Sequence, residues 1–198
     1  MISIYKIKPK FQQLLMPVLK MLHKIGVTAN MITWFAILLS IGTGVTIYFY
    51  PGKFALVLLP ISLLFRMALN ALDGMMARIY NMQSKKGEVL NELGDVISDF
   101  IMFFPIGVLF QLNNWLLLSF LFFSLLNEYA GILGKAVSGE RRYDGPMGKS
   151  DRALVVGLVS LLLLVSQSLI SYSNYLFLVV CALLLVSTFV RINKTLKI

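Results

Sequence analysis

The sequence predicts an all-α integral membrane protein: six transmembrane helices in a single domain over residues 1–198, preceded by a juxtamembrane amphipathic helix. Three observations carry this. Hydrophobic residues make up 58% of the chain and charged residues only 14%, with a mean hydropathy of +0.82, outside the range of soluble domains. Apolar runs of roughly twenty residues recur between short polar turns, and a helix of that length spans the hydrocarbon layer. Basic residues gather in alternate connections, as positive-inside topology requires.

Taken in order, the arm over 1–26 interleaves Lys6, Lys8, Lys10, Lys20 and Lys24 with Ile4, Ile7, Phe11, Leu14, Leu15, Val18, Leu19 and Leu22. That mixture suits a helix lying on a membrane surface; a soluble arm that only supplies topogenic charge is the alternative. His23 reads as an interfacial residue. The short apolar core and small-residue cleavage site of a secretory signal are absent, so no removal of this segment is expected. Gly26, Thr28 and Asn30 make a break with helix-capping character before the first span, about 31–50.

Pro51 and Gly52 turn the chain into the second span, about 54–78, and a loop holding Lys85 and Lys86 leads to the third, about 87–111. A polar turn at Asn113 and Asn114 precedes span four, about 115–133. The polar loop over 135–152 separates it from span five, about 153–169, and a Ser/Tyr/Asn turn leads to span six, about 175–190. There is no internal repeat. The single cysteine, Cys181, lies in an apolar run and reads as packing.

Sixteen of the 18 Lys and Arg residues fall in the N-terminal arm, the 78–86 segment, the 135–152 loop and the tail. Both termini and the two long loops are therefore expected in the cytoplasm. The formal charge of +9 does not point to nucleic acid, because the basic residues sit between apolar runs instead of forming a stripe.

Inside this apolar frame lies a polar constellation. Arg66, Asn70, Asp73 and Ala77 follow one another at spacings that stack them on one helical face, and Glu88, Asn91 and Asp95 do the same across the loop. Intramembrane charge is costly and marks function. Two antiparallel helices would turn these rows toward each other near the cytoplasmic ends, with Asp99 a turn deeper. Facing carboxylates and amide oxygens open to water on one side suit Mg²⁺ or Mn²⁺, which would neutralise a phosphate-bearing ligand. Gly74 and Gly87 permit either close approach of a ligand or tight helix packing.

The order Asn70-x-x-Asp73-Gly74-x-x-Ala77-Arg78, eight residues, then Gly87-x-x-x-Asn91-x-x-x-Asp95 resembles the signature of the CDP-alcohol phosphotransferases, six-helix membrane enzymes. Six of its eight positions match, with Asn at the first and third acidic positions. Thr28-Ala29-Asn30-x-x-Thr33 is similar to the Thr-Pro-Asn-x-x-Thr that begins the first helix of that family, and Gly148-Lys149-x-x-Arg152 to its basic segment.

The resemblance implies transfer of a phosphatidyl or other phosphoalcohol group from CDP-diacylglycerol, or a similar CDP-alcohol, to an alcohol acceptor with release of CMP. It implies a homodimer in the inner membrane, among membrane lipids, with a cytoplasmic site. By position, Asn70, Asp73, Asn91 and Asp95 would hold the metal and Asp95 would be the general base. Asp73, Gly74, Ala77, Arg78 and Gly87 would bind the CDP group, and Lys149 and Arg152 an acceptor phosphate. The last two are equally explained as positive-inside anchors.

Two Asn residues leave the signature two charges short, and Glu88 or Asp99 could supply what is missing; Glu88 at a helix start is also favoured by the dipole alone. Arg66 and Glu128, the other intramembrane charges, are expected to pair, or else Arg66 faces the substrate phosphate. Glycerol phosphate, inositol phosphate, serine and less usual polyols are all compatible as acceptors; Lys135, Arg141, Arg142, Lys149 and Arg152 favour a phosphorylated one, but positive-inside topology would supply them anyway. The rivals to an enzyme are a non-catalytic binder of CDP-lipid or anionic lipid, and a small transporter or channel. The second is disfavoured because the polar residues cluster near one face of the membrane.

Overall fold

The computed structural model describes residues 8–197, so Ile4, Lys6 and Ile7 of the expected surface arm lie outside the described residues. The described chain forms α1 (Lys8–Lys24), α2 (Ala29–Phe49), α3 (Lys53–Ile79), α4 (Lys85–Phe103) and α5 (Ile106–Leu109). These are followed by α6 (Asn114–Ser138), α7 (Lys149–Val165), a 3-10 turn at Gln167–Tyr172 and α8 (Ser173–Leu196). Among the described residues α2, α3, α6 and the segment Gln167–Leu196 are long and apolar enough to cross a membrane. α4, with four carboxylates in 19 residues, and α7, with 17 residues, are not in that set.

Local chemistry fixes the helix ends. The Thr28 hydroxyl accepts from the Met31 N–H at 3.3 Å and caps α2, and Ser84 does the same for the Gly87 N–H at 3.0 Å at the start of α4. α4 stops at Phe103, well short of the expected end at 111. Pro105 has no N–H with which to continue the ladder, and the chain makes the short α5 before turning through Gln111 at φ +51°. α7 begins four residues before the expected 153, because the Asp151 carboxylate turns back to accept from the Gly148 N–H at 2.9 Å.

α2 lies against both α3 and α4. Small residues permit the approach to α4: a Cβ at Gly94 would stand 2.7 Å from Ile37 Cδ1, and one at Gly44 only 2.9 Å from the carbonyl carbon of Ile101. α7 lies along α3 at Pro60, which leaves the Leu56 carbonyl without its helical donor. Ser160 of α7 supplies one, its hydroxyl donating to Leu56 O at 2.9 Å.

The main core runs through α3, α4, α6, α7 and α8, closed away from the polar rows by Phe103, Phe120 and Phe177, whose ring centroids are 5.4 and 5.1 Å apart in succession. A second cluster docks α1 onto the bundle: Leu19 is buried against Ile32, Leu72 and Met76. His23, expected at an interface, stacks on Tyr80 with centroids 3.5 Å apart. Large apolar side chains such as Phe35, Phe65, Phe122 and Phe189 face outward. That surface belongs in lipid.

Candidate active site

A cavity of about 420 Å³ opens where α3, α4, α6, α7, α8 and α1 converge. Asn70, Gly74 and Arg78 come to it from α3, Asn91 and Asp95 from α4, Glu128 from α6 and Lys149 from α7. The two predicted rows meet there at one point, where the Asn70 amide donates to Asp95 Oδ1 at 3.0 Å. Lys149 Nζ pairs with the same carboxylate oxygen.

Asp73 lies apart from this contact. It is 2% exposed, and its Oδ2 accepts from the Thr33 hydroxyl at 3.0 Å. Its Oδ1 is buried with no hydrogen-bond partner among the described residues, a costly state for a carboxylate unless a cation meets it. Thr33, the last residue of the segment that begins α2, is thus brought against Asp73, a contact that its place in the sequence did not disclose.

The two glycines divide the alternatives left open by the sequence. A Cβ at Gly74 would meet only the end of Arg78, at 3.6 Å or more, so that position is bare toward the cavity and not toward a helix. At Gly87 a Cβ would come within 2.7 Å of Asn30 Oδ1, which makes it a packing glycine. Ala77 is half-buried in the last turns of α3.

Arg66 does not pair with Glu128. It donates to Asp99 and to the Asp95 carbonyl, the latter at 3.0 Å, because α4 presents both groups directly across from it. Glu128 meets three other guanidiniums: Arg141 at 2.9 Å, Arg152 at 3.1 Å and Arg191 at 3.9 Å. Arg152, expected at an acceptor phosphate, is 0% exposed and bridges Glu128 to Asp99, 2.7 Å away. It stands behind the cavity instead of lining it. Glu88, expected beside Asn91, is exposed and pairs with Lys135.

The 139–148 loop completes the wall with Arg141 and Tyr143, the guanidinium lying 5.2 Å from the ring centroid. Burial opposes the Arg141 charge, but Tyr143, Glu92 and Glu128 outweigh it and raise the guanidinium above its ordinary value. The loop is fastened to α6 and α8: Arg191 donates to the carbonyls of Asn127 at 2.6 Å and Asp144 at 3.1 Å, and Asn127 donates to Met147 O at 2.8 Å. Ser187 accepts from the Met147 N–H at 2.8 Å beside Gly145, whose φ of +113° and lack of a Cβ allow the contact. Arg191 had one sequence signal, a charge at the end of an apolar run; Tyr143 had none.

The donor set fits a single divalent ion. Asp73 offers a buried, unpartnered oxygen, and Asn70, Asn91 and Asp95 bring hard oxygen ligands from the cavity wall. Among the described residues no group of three or more His, Cys, Asp or Glu forms a metal cage, so an ion here would rest on the Asn amide oxygens as well as on Asp73 and Asp95.

Comparison with known proteins follows the same lines. Two crystal structures of Mycobacterium tuberculosis phosphatidylinositol phosphate synthase, PgsA1, share this fold. The one with CDP-DAG bound superposes with a TM-score of 0.73 at 20% identity, covering 90% of this chain and 92% of that one. The one in complex with manganese and citrate gives 0.72 at 20% identity, covering 90% and 87%. In sequence, the chain is 44% identical over 183 residues to the inner membrane protein YnbA of Escherichia coli (strain K12), covering 92% of this chain and 91% of that protein. The family model for CDP-alcohol phosphatidyltransferase matches residues 26–190, which takes in α2 to α7 and most of α8, and the chain belongs to that family.

Proposed function

We propose that this protein is a phosphatidyltransferase that moves the phosphatidyl group of CDP-diacylglycerol, or a similar CDP-alcohol, onto the hydroxyl of an alcohol acceptor. The observation that carries the reading is the position of Asp95 on the cavity wall, oriented by Asn70 and Lys149, with Asp73 and its unpartnered oxygen three residues after Asn70 on α3. PgsA1, which shares the fold, has been crystallised with CDP-DAG bound and with manganese, and both findings support the assignment.

In this reading Asp95 is the general base. It takes the acceptor's hydroxyl proton as the acceptor oxygen bonds to the phosphorus that bears the diacylglycerol, while the bond from that phosphorus to the bridging oxygen breaks and CMP leaves. Asp73, Asn70, Asn91 and Asp95 would hold one Mg²⁺ or Mn²⁺, which would offset the pyrophosphate charge. Gly74 gives the donor room against the α3 backbone, and Arg78 and Lys149 meet its anionic oxygens. Gly87, expected to bind the CDP group, serves the site only by letting α4 pack close to Asn30 of α2. Asp99 and Arg66 hold the Asp95 backbone in place.

The chain crosses the inner membrane six times, α4 with α5 and α7 completing the four apolar spans, and α1 lies on the membrane surface. Both termini and the cavity face the cytoplasm, the side where the basic loops gather. The protein works as a homodimer.

A second reading is a non-catalytic binder of CDP-lipid, favoured by the way Asn70 and Lys149 already occupy the Asp95 carboxylate. One experiment separates the two: CMP release from CDP-diacylglycerol by purified protein in lipid–detergent micelles with Mg²⁺ or Mn²⁺ and a pool of alcohols. Metal-dependent release that is lost in Asp95→Asn is the expected outcome. Binding of CDP-lipid with no release from any pool would replace the enzyme with the binder.

A further inference from the structure

We infer that the acceptor is an alcohol without a phosphate, and that Glu128 is the residue that makes it so. This rests on the transferase reading above. The basic residues of the 135–152 loop, taken from sequence, favour a phosphorylated acceptor, because a phosphate brings a charge of about −1.5 to −2 and three strong acceptor oxygens that guanidinium forks match.

Each of those cations faces a carboxylate of this same chain. Lys135 pairs with Glu88, Arg142 stands 3.9 Å from Glu140, and Lys149 pairs with Asp95. Arg152 bridges Asp99 and Glu128, and Arg141 binds Glu92 and Glu128.

Glu128 holds the centre of this arrangement. It is 5% exposed, it lines the cavity, and Arg141, Arg152 and Arg191 reach it from the loop, α7 and α8 at 2.9, 3.1 and 3.9 Å. Three guanidiniums converging from separate elements on one point make an anion-binding site. Here a carboxylate from α6 is the anion. An acceptor phosphate would have to displace a buried carboxylate or sit against it, and like charges in a partly desolvated cavity exclude each other.

The charge balance agrees. The cavity wall carries four cations, Arg78, Arg141, Lys149 and Arg191, against three carboxylates. The donor's pyrophosphate, at about −2, is cancelled by one divalent ion and leaves that single positive charge in place, so an acceptor phosphate at about −1.5 to −2 asks for cations beyond it. A neutral polyol asks for none, and its hydroxyls donate well to carboxylates such as Glu128 and Asp95.

The test has two arms. In the first, wild-type protein with CDP-diacylglycerol and Mn²⁺ is given glycerol, myo-inositol, sn-glycerol 3-phosphate or myo-inositol 1-phosphate separately, and CMP release and the product lipid are measured. Release with an unphosphorylated alcohol, at least about tenfold above that with its phosphate, is expected. A phosphorylated acceptor used as well as its parent alcohol overturns the inference.

The second arm needs no turnover: thermal unfolding of wild type and Glu128→Gln with and without inorganic phosphate. Wild type should be insensitive, whereas Glu128→Gln, which takes its carboxylate from Arg191 and one of two from each of Arg141 and Arg152 without changing the side-chain shape, should unfold earlier and be rescued by phosphate. Phosphate stabilising wild type as much as the variant overturns the inference. If the variant does not fold, the wild-type response alone decides, insensitivity supporting and stabilisation refuting. If no acceptor releases CMP, the transferase reading fails while the phosphate arm still tests whether Glu128 fills an anion site.

Discussion

Gly74 and Gly44 both lie inside helices at ordinary backbone angles, so replacing either with alanine brings the same gain in helix propensity, about 0.8–1 kcal/mol. What the new methyl meets is different. At Gly74 it finds only the tip of Arg78 at ordinary contact distance, whereas at Gly44 it meets the Ile101 backbone, which cannot rotate away. Overpacking of this kind costs about 1–3 kcal/mol, and because the propensity gain cancels, that is the expected stability difference between the two variants. At 2–4 °C per kcal/mol for a chain of this size, Gly74→Ala should melt roughly 2–12 °C above Gly44→Ala, at or above wild type. The methyl of Gly74→Ala nevertheless projects into the cavity, and misplacing a donor by about 1 Å can cost up to 100-fold in rate. Thermal unfolding in detergent and CMP release on the same samples read both effects. A Gly74→Ala protein that is stable and fully active would refute the placing of the CDP-alcohol against this stretch of α3; one as unstable as Gly44→Ala would refute the packing argument.

Three further outcomes are expected. Thr33→Val removes the hydroxyl that donates to Asp73 and should lower stability by about 1–3 kcal/mol, with Mn²⁺ restoring part of the loss in thermal melts; equal destabilisation with and without metal would separate Asp73 from metal binding. Asn70→Asp sets a second carboxylate against Asp95 in place of a 3.0 Å hydrogen bond, so the metal-free protein should be less stable and Mn²⁺ should bind at least about tenfold more tightly, read as a shift in the midpoint of a thermal titration. Ser160→Ala should cost about 1–3 kcal/mol by leaving the Leu56 carbonyl unpaired, and much less in a Pro60→Ala background, where residue 60 regains an N–H for that carbonyl; strictly additive effects in this double-mutant cycle would contradict the pairing.

The features legible in the sequence are those that depend on neighbours along the chain. Thr28 as a cap, the turn at Asn113 and Asn114, and the apolar runs of α2, α3, α6 and α8 all follow from local composition and spacing. The signature residues could be picked out because helix periodicity stacks Asn70 with Asp73 and Asn91 with Asp95. Which residue each one meets was not legible, because that depends on how helices pack. Arg66 was expected at Glu128 and met Asp99; Asp73 was expected opposite α4 and met Thr33 on α2. The loop charges misled for the same reason. Their positions suit a phosphate, and only the fold shows that Glu92, Glu128 and Asp99 already answer them.

The bridge from Asp99 on α4 through Arg152 on α7 to Glu128 on α6 also bears on how the protein is built. If each helix left the insertion machinery alone, these residues would carry bare charges into hydrocarbon, and α4 and α7 lack the apolar length to offset them. Asp99 has Arg66 of α3 as a partner once α4 is made, but Glu128 has no intramembrane cation until α7, late in the chain, brings Arg152. The four apolar helices have the length to enter the bilayer as they emerge, whereas α4 and α7 reach charge balance only in the assembled bundle, so the ion pairs at the middle of this protein wait on synthesis of its C-terminal third.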